Sequence, residues 1–238
     1  SFTATNTGTV PVVATITVTP EFDNSGVVCY GDPESFTITV NPTPSVTSAS
    51  TKTICNGENV NYDIESNVSG TTFEWSRATV TGITEAGVTG QSSDPISETL
   101  NNTTNAPIDV EYIITPTGPT GCVGDDFTLI VTINPTPDVS ASDKTICSST
   151  QVGVALSSSV SGTTFYYDAP TISGGPGNIT GGTARTSPGS TDPINDVLVN
   201  TTSTDQTATY TVYPIYDGCV GSLLDVIVTV QPEPVVTD

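Results

Sequence analysis

Cys29, Cys55, Cys122, Cys147 and Cys219 carry most of the chemical potential of this chain, which contains no histidine. Thiols can ligate a metal, attack a substrate or pair with each other. Metal ligation is the poor fit, because no CxxC occurs and no His is present to complete a site. The same absence removes Ser-His-Asp and Cys-His machinery and every His-ligated centre. Pairing into disulfides remains, and an odd count leaves one cysteine over.

The other candidates are weaker. Asp94 and Asp192 recur before Pro-Ile and are the only calcium candidates, each offering a hard oxygen near loop carbonyls, though neither lies in a D-x-D-x-D run. The competing role is a turn in which Asp accepts backbone N–H bonds. Asp125-Asp126 is the most attractive acidic pair, but Ser222-Leu223 takes its place at the corresponding later point. Lys52 and Lys144 stand three residues before a Cys; charge pairing on an acidic surface is a simpler role for them than a Lys–Asn isopeptide crosslink. Asn67, Asn101, Asn102, Asn178 and Asn200 lie in Asn-x-Ser/Thr sequons. The Gly-rich stretches lack a following helix and Lys, so they are turns and not phosphate cradles.

These residues are positioned by a repeat. Cys29 to Pro42, Cys122 to Pro135 and Cys219 to Pro232 span the same interval, and each ends in Pro-x-Pro: Pro42/Pro44, Pro135/Pro137 and Pro232/Pro234. Lys52-Thr-Ile-Cys55 matches Lys144-Thr-Ile-Cys147, and Val68-Ser-Gly-Thr-Thr-Phe73 matches Val160-Ser-Gly-Thr-Thr-Phe165. The complete units are therefore 45–137 and 138–234. Residues 1–44 match the second half of a unit, and 235–238 start another, so the chain is expected to be a window on a longer array. The prolines form the seams, restricting both themselves and the residues before them.

Within a unit the pattern is of strands. Phe127, Leu129, Val131 and Ile133 alternate with mostly polar neighbours, and Val226, Val228 and Val230 do the same. Ile108–Ile114 and Val60–Ile64 alternate too, while Phe73 with Trp75, and Phe165 with Tyr167, place two aromatic residues on one face. About seven short strands per unit predict an all-β chain of tandem immunoglobulin-like β-sandwiches. Each complete unit then holds one early and one late Cys, predicting one disulfide per complete domain: Cys55–Cys122 and Cys147–Cys219, with Cys29 paired upstream of Ser1. Such bridges imply an oxidising, extracellular setting.

Composition supports this frame and excludes some functions. Thr, Ser and Val are abundant, with 21 Gly and 18 Pro, which favours strands and turns over helices. A net charge of −21, with only four basic residues, argues against nucleic acid or an anionic membrane as partner. No segment has the length and apolarity of a membrane helix. Neither a catalytic set nor a cofactor is indicated, calcium being the one open possibility.

The ordered motifs Pro-x-Pro, Lys-Thr-Ile-Cys, Val-Ser-Gly-Thr-Thr-Phe-Glu-Trp, Asp-Pro-Ile and Gly-Cys-Val-Gly resemble the PKD-like repeats of giant Bacteroidota surface proteins. The resemblance covers essentially the whole chain. It implies a stalk or filament segment of a cell-surface adhesin exported by type IX secretion, of the gliding-motility kind, with no catalytic residues to carry over. Its partners would be neighbouring repeats of the same chain and other copies in a filament. The alternative is a carbohydrate- or ligand-binding module of an extracellular enzyme, with Trp75, Tyr166 and Tyr167 as a stacking platform. Core packing, with Trp75 against a disulfide, is the competing role for those aromatics.

Overall fold

The structure is a computed structural model that describes residues 3–186 and 193–234, and every regular element in it is a strand. Residues 11–40 supply β1 (Val12–Val18), β2 (Glu21–Asn24), β3 (Val27–Tyr30) and β4 (Glu34–Val40). The first complete repeat supplies β5 (Thr51–Cys55), β6 (Thr72–Arg77), β7 (Val88–Gln91), β8 (Ile108–Thr117) and β9 (Phe127–Asn134). The second supplies β10 (Lys144–Cys147), β11 (Thr150–Gln151), β12 (Thr164–Tyr167), β13 (Thr171–Ile172), β14 (Ile179–Thr180), β15 (Val197–Asn200), β16 (Gln206–Tyr216), β17 (Cys219–Val220) and β18 (Leu224–Gln231).

Each complete repeat is a two-layer sandwich. Its larger sheet runs β5-β9-β8-β6-β7 in the first repeat, and β10-β18-β16-β12 with β13 and β17 added in the second. The long central strands are two-faced: Val110, Tyr112 and Ile114 of β8, and Leu129, Val131 and Ile133 of β9, are fully buried, while Asp109 and Glu111 face water. That is the alternation a half-solvated antiparallel pair requires. Each such side chain contributes roughly 1.5–3 kcal/mol relative to exposure. The opposite layer is more irregular. In the second repeat it is the small sheet β11-β15-β14. In the first, the Val60–Ile64 alternation makes paired bridges rather than a strand, with Tyr62 and Ile96 exchanging both amide bonds. Val60, Tyr62, Ile64, Ile96 and Leu100 still fill the core from that side.

Residues 3–44 hold only part of a sandwich. β1 and β4 pair over their full lengths, in the places that β8 and β9 occupy in the next repeat. Their inward positions, buried in the complete repeats, lie open here: Phe36 is 51% exposed and Val18 52%, where the corresponding Leu129 and Ile114 are 0%.

The cysteines depart from the sequence expectation. The disulfide is Cys55–Cys219, with a Cα–Cα distance of 5.5 Å and a separation of 164 residues; Cys29, Cys122 and Cys147 are free thiols. Neither Cys55–Cys122 nor Cys147–Cys219 forms, so there is no bridge within a domain and none for Trp75 to pack on. The reason is strand direction. β5 runs parallel to β9, and Cys55 sits beside Asn134 at the far end of that strand. Cys122 precedes β9 at its near end. The eight residues of β9 separate the two by roughly 25 Å, far beyond the span of a disulfide.

Candidate functional site: the joint between repeats

The end of β9 that carries Cys55 is where the chain leaves the first repeat, through Pro135-Thr136-Pro137. The hairpin of β16 and β17 that carries Cys219 lies at the facing end of the second repeat, where Tyr216 pairs with Cys219. The disulfide therefore crosses the seam. Around it, Asn134 Nδ2 donates to Asp217 Oδ2 at 2.9 Å and Asn56 Nδ2 to the Thr136 hydroxyl at 3.1 Å. Asn134 is itself buried. Asp138, the first residue of the second repeat, accepts the Ser159 amide and both the Ser158 and Ser159 hydroxyls. These bonds hold its carboxyl below the usual range, the Ser158 bond foremost. No stretch of free linker separates the repeats.

Gly-Cys-Val-Gly is a joint motif and not only a turn. Gly121 and Gly218 adopt φ of +81° and +82°, a region that glycine enters without penalty. Gly124 and Gly221 serve for closeness: a Cβ on Gly221 would fall 1.7 Å from the Pro137 carbonyl oxygen, and one on Gly124 would fall 2.0 Å from that of Pro44. The second proline of each seam thus seats its carbonyl on the last glycine of the following hairpin. At the earlier joint Gly118 also lies against Pro44, and Pro11, Pro42, Val68 and Pro119 line the cleft between the units. Sequence reasoning identified Pro42, Pro44, Pro135 and Pro137 but missed the glycines they dock on. The identical offset of Gly124 and Gly221 from a Cys was the available signal. Pro232 and Pro234 occupy the corresponding exit from the second repeat.

The remaining candidate residues are placed away from this joint. Asp94 Oδ1 accepts the Ile64 amide at 2.9 Å, a tie between two segments of the sandwich rather than a bond within its own turn, at a cis Asp94–Pro95 peptide. Among the described residues no group of three or more acidic, Cys or His side chains is placed to hold a metal; Asp192 lies outside the described residues, as do 235–238. Lys52 donates to the Asn61 carbonyl and Lys144 to that of Gly153, both left-handed turn residues.

The recurring sequon residues Asn102 and Asn200 are buried. Each spends both amide hydrogens on carbonyls, those of Ala106 and Ile133 for Asn102, and those of Thr204 and Val230 for Asn200. They pin the turn before the long central strand. A glycan would have to replace those bonds.

The aromatic residues are core. Trp75 is 3% exposed, tilts against Tyr112 at 5.7 Å and donates its indole N–H to the Ser93 carbonyl. Phe165 and Tyr167 are buried, Phe73 and Tyr166 half-buried. Of Trp75, Tyr166 and Tyr167, only Tyr166 is even half-exposed, so these three do not form a stacking platform.

Each sandwich also sets a half-buried carboxylate, Glu98 or Asp196, against a core tyrosine. Glu98 accepts the Tyr112 hydroxyl and a two-pronged contact from the buried Arg77, at 2.8 Å to Nε and 3.1 Å to an outer nitrogen. Asp196 plays the same part for Tyr210 in the second repeat. In that repeat Arg185 stacks over Tyr167 at 4.9 Å and donates to the Pro193 carbonyl. Burial first, then the carboxylate partner, pushes both Tyr112 and Tyr210 well above the ordinary phenol range. Each carboxylate anchors a fully buried tyrosine.

Fold and joint together define a protein of tandem immunoglobulin-type β-sandwiches locked end to end. A sequence model of the PKD-like domain matches residues 52–137 and again 144–234, and the chain belongs to that family. Among solved structures it is similar to the fibronectin(III)-like modules of Clostridium thermocellum CbhA, at 10% identity and TM-score 0.33, covering 80% of this chain and 95% of that one. It is also similar to Drosophila OTK extracellular domains 3–5, at 11% identity and TM-score 0.40, covering 87% and 69%. Protocadherin gamma B2 extracellular cadherin domains 3–6 match at 9% identity and TM-score 0.35, covering 94% and 60%. No curated protein matches the sequence.

Proposed function

We propose that this chain is a non-catalytic structural spacer, a stiff segment of an extracellular stalk or filament. The observation that carries the reading is the position of the disulfide, across the joint rather than inside a sandwich. A bridge inside a domain raises that domain's stability. A bridge across a joint, with a proline carbonyl seated on a glycine and no free linker, removes hinge motion, which serves a part whose task is reach. The staple also supports an oxidising compartment outside the cytosol. The finer assignment, to a cell-surface adhesion or gliding filament exported by type IX secretion, rests on the motif resemblance and forms part of the proposal.

Small-angle X-ray scattering of the oxidised chain tests it. A stiff spacer gives a rod whose length grows by roughly 30–40 Å per complete repeat and whose profile a single conformer fits. A profile that demands many unrelated orientations of the two repeats would refute the spacer reading.

A further inference from the structure

We propose that the second repeat binds the tyrosine side chain of a partner polypeptide, in a groove at the position where the first repeat places its own Tyr62. Such a site adds recognition to the spacer and is independent of the spacer reading.

The two repeats share a backbone here. Lys52-Thr-Ile-Cys55 and Lys144-Thr-Ile-Cys147 fix the register, Val60 and Val152 follow at the same interval, and Tyr62 and Val154 come next as equivalents. Tyr62 exchanges both amide bonds with Ile96, at 3.0 and 2.8 Å. Val154 exchanges both with Ile194, at 3.1 and 2.9 Å. The side chain changes while its backbone frame stays.

In the first repeat the phenol closes the gap to the segment that leads into β5. Tyr62 is buried, and its hydroxyl bonds the Ala49 carbonyl at 2.6 Å and lies 2.8 Å from Ser48 Oγ. A buried tyrosine needs such a partner for its polar tip. Valine at 154 stops short of the facing segment. That segment, 138–143, is one residue shorter than its counterpart 45–51, yet a gap is left. An open groove of about 340 Å³ lies there, lined by Ser140, Ala141, Ser142, Lys144, Gly153 and Val154 among others.

The lining offers what a phenol uses. Val154 and Ala141 are apolar and pack in or on the core. The Ala141 carbonyl and the hydroxyls of Ser140 and Ser142 make no hydrogen bond among the described residues. Asp143 is engaged, taking the Ile227 amide on Oδ1 at 2.8 Å. The lysines mark the same difference: Lys52 is half-buried and 2.6 Å from the Asn61 carbonyl, whereas Lys144 is exposed and 3.3 Å from that of Gly153. An apolar wall with a few convergent polar groups is the usual make-up of a small-ligand site. The first repeat shows which ring this one takes, because it holds that ring on the equivalent serine- and alanine-bearing segment.

The test is a titration of the intact oxidised chain with N-acetyl-tyrosinamide, followed by amide chemical shifts. Shifts are expected at Ala141, Lys144, Gly153 and Val154, with a Kd on the order of 1 mM for so small a probe. N-acetyl-phenylalaninamide, which lacks the hydroxyl, is expected to bind roughly fivefold more weakly. Val154→Tyr supplies the missing ring from within and is expected to abolish the shifts. Tyr62→Val is expected to open a second site, with new shifts at Ser48 and Ala49; if that variant does not fold, Val154→Tyr decides alone. Absence of shifts, equal binding of the phenylalanine probe, or undiminished binding by Val154→Tyr overturns the proposal. Binding of p-cresol without binding of N-acetyl-tyrosinamide also overturns it, by making the occupant a free phenol rather than a polypeptide tyrosine. None of these outcomes alters the rod-like scattering that tests the spacer.

Discussion

The joint at Pro42–Pro44 and the joint at Pro135–Pro137 share a backbone and differ in covalent chemistry. Both seat the second proline carbonyl on a hairpin glycine, Gly124 or Gly221, and both present a hairpin cysteine, Cys122 or Cys219. Among the described residues only the second is bonded across: there β5 delivers Cys55 to the seam, and residues 3–44 hold no counterpart of β5. The difference separates two jobs. The proline–glycine seat sets the approach of one unit to the next and needs only the hairpin and the seam. The disulfide locks that approach and needs a complete sandwich on the preceding side.

The largest expected effect comes from unlocking the closed joint. Cys55→Ser should lower stability by roughly 5 kcal/mol if both repeats unfold together in the chain-entropy account, a midpoint fall on the order of 10 °C. Cys122→Ser at the open joint should leave the thermal midpoint unchanged. An equal fall in both variants would erase the distinction between the joints.

Next is the feature the joints share. Gly221→Ala and Gly124→Ala each drive a methyl into a backbone oxygen that cannot move without opening the seam. Each should cost about 2–3 kcal/mol, read by chemical denaturation of the two variants in parallel. A large effect at Gly221 with none at Gly124 would show that the seat depends on the staple.

How far the sequence reached is clearest at this same joint. The repeat, its seams and the two-faced strands were readable because side-chain alternation and proline are local signals. Trp75 and Phe165 were readable as core from sharing a strand face. The disulfide partner was misassigned because counting cysteines per unit ignores direction. Yet direction was recoverable: the chain enters each repeat at one seam and leaves at the other. The strand ending in Cys55 runs from the entry, and Cys122 stands just before the strand that runs to the exit. The two cysteines must therefore lie at opposite ends. The Glu98–Arg77–Tyr112 anchor was not readable, since its members come together only through the sandwich's tertiary packing.

A smaller effect sharpens the comparison further. Asn134→Ala removes the bond to Asp217 at the closed joint and should cost about 1 kcal/mol. Asn41→Ala, at the equivalent position of the open joint, should be neutral, because no side-chain hydrogen bond forms there among the described residues. Denaturant midpoints of the two variants check this pair.

The smallest expected effect lies away from both joints. Burial alone would raise the Glu85 carboxyl, but bonds from Asn101, first from its side chain, then from its backbone, and from Thr84, outweigh it and bring the value from 4.5 to about 2. A depressed carboxyl stabilises fully above its unfolded value, and the contribution is lost as pH falls from about 4.5 through about 2. Solvent screening at this partly exposed site limits it to roughly 1 kcal/mol or less. Glu85→Gln should flatten that part of the acid-unfolding curve of the first repeat and leave the joint bonding untouched.

Disulfide mapping tests the central claim most directly. Non-reducing proteolysis of the oxidised chain followed by mass spectrometry should yield a peptide pair joining Cys55 to Cys219, with Cys122 alkylated as a free thiol. Recovery of Cys55 joined to Cys122 and Cys147 joined to Cys219 would place the bridges inside the domains and contradict a joint locked by covalent chemistry.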